Sequence, residues 1–317
     1  MKRVIVDTDT AGDDTQALLL ACLTDRLSVD AVTVVAGNVP FDREVENAKY
    51  TLSLAEATDI PVYEGARRPL VKEYDHAENV HGEGGLGGDF HPETDIDSAE
   101  GFAPAEIVAR CRASPGEVTL LCLGPLTNLA LAHAREPDLP DLVDEVWVMG
   151  GAVECKGNVT PAAEFNFWVD PDAAKRVLDA FEVTLVDWGL CLRDSVQHHD
   201  DLDTIAAMDT DLADFFMTVT ETVRGDDVEG QGVGGITQPD GLATALLAYP
   251  ELREETATSH VDVDEREGVT RGHTSVDVDG TTGQPATTRV VEAADGEGFT
   301  DVMHAMLRER DPDAAVE

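Results

Sequence analysis

The chain reads as an α/β protein with a largely parallel central sheet and helices on both faces. Three observations carry this. Short strand-like runs, largely apolar, recur at Val4–Val6, Ala31–Val35, Val118–Leu123, Val146–Met149 and Val183–Val186, as strands covered on both faces require. Stretches of helix-forming composition, among them Glu44–Ala57, Ala105–Arg112 and Pro171–Ala180, alternate with them. Polar or glycine-rich motifs follow the runs closely, which is where a parallel sheet gathers ligand-binding groups.

The first run opens onto Asp7-Thr8-Asp9-Thr10-Ala11-Gly12-Asp13-Asp14, and Ala17–Ala21 behind it has the composition of a helix. The second run ends in Ala36-Gly37-Asn38, and the third in Leu123-Gly124-Pro125-Leu126-Thr127-Asn128, where Gly124-Pro125 forces a turn. Met149-Gly150-Gly151-Ala152 closes the fourth, its glycines allowing close backbone approach. Arg224–Gln238, rich in Gly and acid, interrupts two helix-like stretches and reads as a mobile loop near the site. Beyond Pro250 the pattern changes to alternating strands at Ser259–Val263, Thr274–Val278 and Thr287–Val291, with a turn at Asp279-Gly280. These read as a small antiparallel appendage over about residues 255–295, closed by a helix near Gly298–Arg310. No linker interrupts the rhythm, so residues 1–317 are expected to form one domain.

Composition narrows the partners. Asp and Glu number 64 against 22 Lys and Arg, a formal charge of −42, yet 42% of residues are hydrophobic, enough for a packed core rather than a disordered chain. Lysine is confined to Lys2, Lys49, Lys72, Lys156 and Lys175, and the acids are spread along the whole length, a pattern suited to molar salt and an extreme halophile. The same field disfavours nucleic acid and anionic membrane. The five cysteines, Cys22, Cys111, Cys122, Cys155 and Cys191, form no C-x-x-C pair, so neither a zinc site nor a disulfide framework is indicated. With no apolar run long enough to span a bilayer and no signal peptide before the first strand, the chain is expected to be soluble and cytoplasmic.

Asp7, Asp9, Asp13 and Asp14 place four carboxylates within eight residues at a strand end, above the background of even this acidic chain. Oxygen donors at that density suit Mg2+ or Ca2+. Gly157-Asn158 and Glu164-Phe165-Asn166 offer an acid and two amides fit to grip a polyol, although Asn158 also suits a turn and Asp170 the N-cap before Pro171. His81 opens the glycine-rich segment His81–Gly88, which lacks the lysine of a phosphate-binding loop and reads as a flexible loop presenting the histidine. Asp240, in Gln238-Pro239-Asp240-Gly241, stands at the start of an apolar helix, where a helix cap is the simpler role.

Taken in order, these motifs resemble the calcium-dependent, inosine-uridine preferring nucleoside hydrolases over essentially the whole chain. The family's D-x-D-x-G-x-D-D fingerprint is similar to Asp7–Asp14 with the glycine shifted by one, and Gly37-Asn38, Gly124–Asn128, Met149–Ala152 and Ala163–Asn166 running into Asp170-Pro171 follow in order. The resemblance implies the Rossmann-like nucleoside hydrolase architecture and hydrolysis of the N-glycosidic bond of ribonucleosides to free base and ribose. It implies Ca2+ held by Asp9, Asp14, Asp240 and the backbone carbonyl of Leu123, with Asp9 also the general base. Asp13, Asn38, Asn158, Glu164 and Asn166 fall on ribose-binding positions, and a homodimer or homotetramer is implied. Family members often carry His-Asp-Pro where this chain has Pro239-Asp240-Gly241, so the histidine credited with protonating the departing base is replaced by proline. His81, in a segment similar to the family's H-G-x-x-G-L, is the candidate for that role, with His198, His199 and His273 as alternatives. Chemistry agrees with the resemblance: cleavage through an oxocarbenium-like state calls for carboxylates near the ribose and an activated water. A carboxylate-rich pocket without an Arg or Lys clamp favours a neutral nucleoside over a nucleotide.

Two other readings fit parts of the pattern. Asp7-Thr8-Asp9-Thr10 imitates the nucleophile motif of haloacid-dehalogenase-like phosphatases, but that chemistry needs a downstream lysine, for which Lys156 and Lys175 are poorly placed. A protein that binds metal and nucleoside without cleaving it is the non-catalytic alternative.

Overall fold

The expected parallel strands form and lie side by side in a computed structural model that describes residues 1–225 and 232–316. The first half of the chain runs β1 (Lys2–Thr8), α1 (Gly12–Leu23), β2 (Leu27–Val34), α2 (Phe41–Leu54), β3 (Val62–Glu64), α3 (Glu78–His81), α4 (Ala103–Ala113), β4 (Val118–Cys122) and α5 (Thr127–Arg135). It continues through β5 (Val146–Met149), α6 (Phe165–Val169), α7 (Pro171–Ala180), β6 (Val183–Val186), α8 (Trp188–Asp194), β7 (Val196–His198) and α9 (His199–Ala206). The remainder comprises α10 (Asp211–Val219), α11 (Glu221–Gly225), β8 (Gly235–Thr237), α12 (Pro239–Ala248), β9 (Arg253–Val263), β10 (Thr274–Asp277), β11 (Thr288–Ala294) and α13 (Gly296–Glu309).

The central sheet has nine strands in the order β10-β9-β11-β6-β5-β4-β1-β2-β3. Within it, the run from β6 to β3 is parallel throughout and has the doubly wound order of a dinucleotide-binding sheet. The antiparallel C-terminal strands are present, and they continue this sheet: β11 pairs in parallel with β6 and antiparallel with β9, which pairs antiparallel with β10. β7 and β8 form a separate two-stranded antiparallel ribbon.

Alternation along the strands splits the core in two. Val4, Val6, Leu121, Trp147 and Val186 face one cluster, built with residues of α1, α2, α8, α10, α12 and α13. Ile5, Leu120, Cys122, Val146, Val148, Val183 and Leu185 face the other, built with α4, α5 and α7. Helices thus cover both faces, which is why the strands carry apolar residues on both faces and not in alternation with exposed polar ones. α1 and α12 are apolar nearly all round because they lie under other helices.

Boundaries follow local chemistry. α7 occupies the expected Pro171–Ala180, with Asp170 as its N-cap accepting from Ala173 N at 3.0 Å. α2 starts at Phe41, after Pro40, and ends at Leu54, before Glu56 adopts the left-handed conformation at φ 58°. Of the Arg224–Gln238 loop, residues 226–231 lie outside the described residues. Among the described residues, no helix is long and apolar enough to cross a membrane.

Candidate active site

Strand order reverses direction between β1 and β4, and a crevice opens there beyond the strands' carboxyl ends. A cavity of about 580 Å3 occupies it. Asp9, Asp13, Asn38, His81, Leu123, Asn158, Glu164, Asn166 and Asp240 all line this cavity, whereas Asp14 does not.

β1 roots the acidic turn. Asp7 is buried, its Oδ1 accepting from Thr33 Oγ1 at 2.6 Å and Asn128 Nδ2 at 2.7 Å, and its backbone carbonyl accepting from Leu123 N at 2.8 Å. These bonds tie β1 to β2 and to the turn after β4. Two residues on, Asp9 enters a fitted slot. A Cβ on Gly124 would stand 2.6 Å from its Oδ1, and one on Gly37 would overlap Oδ2, so both glycines are needed for backbone to reach the carboxylate. Asn38 N donates to Asp9 Oδ2 at 3.0 Å, and Asn38 Nδ2 donates to Asp14 Oδ2 at 3.1 Å and Asp9 O at 3.3 Å. Asp14 also accepts from Thr8 Oγ1 at 2.6 Å and from Ala11 N, at the start of α1, at 3.0 Å. Behind the slot the fully buried Glu44 accepts from Gly37 N and Val39 N, gripping the strip from the side opposite Asp9.

Asp13, Asp14 and Asp240 each bring a carboxylate oxygen within 4.8 Å of the others. Asp240 caps no helix: Gln238 holds the cap position of α12, and Asp240 turns from the first turn of that helix toward Asp13. Burial, then Asp13, Asp14, Asp9 and Glu164, hold its carboxyl well above the ordinary range. Asp9 is raised likewise by burial and by Asp14, and burial pushes Asp14 to about 7. Uncompensated acids so close together fit a hard divalent cation, which would stabilise all their charges at once. The donors are all oxygen, without thiolate, so a soft metal is not favoured.

The opposite wall carries the polyol-binding candidates. Glu164 is the N-cap of α6: Oε1 accepts from Asn166 N at 2.8 Å, and Oε2 from Gly151 N at 2.8 Å and Phe167 N at 3.2 Å. Burial nevertheless raises it to about 7. Asn166 donates through Nδ2 to Leu123 O at 2.7 Å and Met149 O at 3.2 Å, joining the ends of β4 and β5. Each carbonyl keeps a second lone pair. Asn158 reaches the cavity from an exposed loop.

His81 ends α3 and stands over the start of α1, where a Cβ on Gly12 would lie 2.7 Å from its Nδ1. That nitrogen is buried and has no hydrogen-bond partner among the described residues. Burial lowers the imidazole's pKa and the Asp13 charge opposes the shift. The glycine-rich segment folds back to hold it, with Gly87 N donating to His81 O and Gly12 N to Gly85 O. His198 and His199 are exposed on the β7–α9 side, and His273 borders a separate surface cleft with Lys175. None of the three lines the cavity.

Sequence reasoning passed over several residues that the fold brings here. His76, with Nδ1 3.0 Å from Gly37 O, lines the cavity, as do Asn79, Trp168, Trp188 and Ile236. Two of the chain's three tryptophans in one cavity wall would have been a usable signal. Among the described residues no lysine or arginine lines the cavity, which removes the cation that a phosphatase of the haloacid-dehalogenase type needs.

Comparison with known proteins accords with this geometry. Residues 4–301 match the model of the family described as inosine-uridine preferring nucleoside hydrolase. The chain is 36% identical over 313 residues to the pyrimidine-specific ribonucleoside hydrolase RihA of Shewanella woodyi, covering 96% of this chain and 97% of that protein. A plant nucleoside hydrolase structure superposes with a TM-score of 0.90 at 29% identity, over 97% of this chain and 99% of that one. The purine-preferring ribonucleoside hydrolase from Gardnerella vaginalis superposes with a TM-score of 0.89 at 26% identity, over 97% and 98% of the two chains.

Proposed function

Because the chain belongs to the inosine-uridine preferring nucleoside hydrolase family, and so hydrolyses ribonucleosides to base and ribose, we propose that Asp9 is the base that deprotonates the attacking water. The observation that carries this reading is the clamped Asp9 carboxylate. It is buried, held by Asn38 N and framed by Gly37 and Gly124, at the floor of the cavity beside three further acids.

In this reading Asp9, Asp14, Asp240 and the Leu123 carbonyl hold Ca2+. What Ca2+ supplies when bound is Lewis acidity toward water and a grip on the ribose diol. The protein's own groups do the rest. Asp13, Asn38, Asn158, Glu164 and Asn166 accept from and donate to the ribose hydroxyls, fixing the sugar against Asp9. Positive charge growing on the ribose ring is met by buried carboxylates. His81, carried by α3 to the rim over Asp13, protonates the departing base in place of the histidine that Pro239 replaces. The apolar wall of Phe165, Trp168, Trp188 and Ile236 excludes water from the base. The same reading makes the protein a cytoplasmic homodimer or homotetramer adapted to molar salt.

Asp9→Asn tests the assignment directly. It removes the base and keeps the shape, so kcat should fall by about 10³-fold or more while nucleoside still binds. Full turnover in Asp9→Asn would move the base elsewhere. Wild-type protein that binds nucleoside but never releases base would favour the non-catalytic reading.

A further inference from the structure

The hairpin between β9 and β10 reaches back toward the cavity through four consecutive residues, which together hold segments that carry its wall. Arg271 is buried and spreads its guanidinium over three carbonyls: Nε donates to Trp168 O at 2.9 Å, Nη2 to Val169 O at 3.3 Å and Nη1 to Glu73 O at 3.0 Å. Its plane also lies over the Trp168 ring, 4.4 Å from the centroid. Its acidic neighbour, Glu267 at 3.7 Å, is itself largely exposed, so the cation is held chiefly by backbone. Gly272 sits at φ 77°, and a Cβ there would lie 2.7 Å from Trp168 Cα, an approach only glycine allows. His273 places Nδ1 3.3 Å from Ala162 O. The buried Thr274 hydroxyl accepts from Ala152 N at 3.2 Å. The segment is in turn anchored to the end of β9, by Gly272 N to Asp264 O at 2.8 Å, Asp264 N to His273 O at 3.0 Å and the pairing of Thr274 with Val263.

These contacts fall on three stretches that carry cavity residues. Trp168 and Val169 belong to α6, which Glu164 caps and which bears Asn166. Ala152 and Ala162 bracket the loop that presents Asn158. Glu73 leads into the loop with His76 and α3 with His81. We infer that Arg271–Thr274 is a positioning strap, by which the C-terminal antiparallel strands fix the ribose-binding wall of the cavity. Its residues do not line the cavity and act through the loops they hold. Arginine is suited to the task because a planar fork bonds several carbonyls at once, which an ammonium cannot do from one position. The strap gives the antiparallel strands a role in the reaction, and it rests on the reading of this cavity as a ribonucleoside site.

The test measures binding and turnover separately. Free ribose and uridine binding are followed by calorimetry, and kcat and KM for uridine are measured on the same preparations, with folding checked by circular dichroism. R271K should weaken ribose binding and raise KM roughly tenfold or more, with kcat changed less than about threefold. T274V, which keeps the side-chain volume and removes the hydroxyl acceptor, should shift both the same way by a smaller factor. R266A, on the same hairpin but with its guanidinium on Asp264 at the surface, should change neither. A purely structural tie would lower the folded fraction, and with it kcat, leaving KM and ribose binding alone. Unchanged binding and KM in folded T274V overturns the strap, even where R271K fails to fold, and so does an equal loss in R266A. The hydrolase reading stands or falls on wild-type turnover instead. Weakened ribose binding in the strap variants upholds the strap whether or not the wild type releases base.

Discussion

At the scale of single residues, environment rather than residue type separates the roles of the acids. Asp7 and Asp9 are two positions apart on one strand end, yet Asp7 is spent on Thr33 and Asn128 while Asp9 faces the cavity between two glycines. In the proposed mechanism leaving-group chemistry turns on His81. Its imidazole is pushed down by burial, a shift the Asp13 charge only partly opposes, so its protonated form is lost at lower pH than that of an ordinary histidine. Turnover of nucleosides with poor leaving groups should therefore decline as pH rises, beginning below the ordinary histidine range. His81→Ala should lower their rate by about 10²-fold and flatten that decline, and it should leave an activated aryl riboside nearly untouched. Parallel pH profiles for uridine and an aryl riboside check this; equal losses on both substrates would remove His81 from the role. The proline at position 239 was plain in the sequence, but only the fold shows that α3 brings His81 over Asp13 at the same cavity.

At the scale of elements, the site is made of strand ends and the short turns after them. Gly124 illustrates how little room those turns leave. Gly124→Ala would put a methyl 2.6 Å from Asp9 Oδ1 and 3.0 Å from Val35 Cγ1, displacing the carboxylate rather than the strand. Turnover should drop about 10²-fold with the unfolding midpoint nearly unchanged, as steady-state kinetics beside thermal melts would show. Loss of both together would mean that the turn serves folding instead. The parallel strands were legible because a strand buried on both faces is apolar at most positions, and β5, β6 and α7 match their expected limits residue for residue. β3, only three residues long, and the short helices α8 to α11 carry too few periods to stand out. Pairing was not legible. Nothing in Thr287–Val291 announces that β11 joins β6 in parallel while meeting β9 antiparallel, because register depends on distant partners. The same limit hid the contacts of Arg271 and the burial of Glu44, both of which depend on segments remote in sequence.

At the scale of the whole molecule, charge dominates. Twenty-two cations cannot neutralise 64 acids, and the structure places several of the few between two carboxylates each. Arg26 lies between Glu251 and Asp313, Arg67 between Asp42 and Glu64, and Arg310 between Glu56 and Asp211. The remaining repulsion is long-ranged in dilute buffer and screened to about 3 Å in 1 M salt. The unfolding midpoint should accordingly rise steadily with KCl up to the molar range, and a midpoint indifferent to salt would contradict that view of the surface. The central claim, that this acidic crevice hydrolyses ribonucleosides through a bound divalent cation, is tested most directly in the same high-salt buffer. Uridine and inosine are incubated with the protein before and after removal of metal by a chelator, and again after Ca2+ is restored, with base and free ribose quantified. Equimolar base and ribose are expected, lost on chelation and recovered with Ca2+; undiminished hydrolysis by the chelated protein, or no free ribose under any condition, would contradict a metal-assisted ribonucleoside hydrolase.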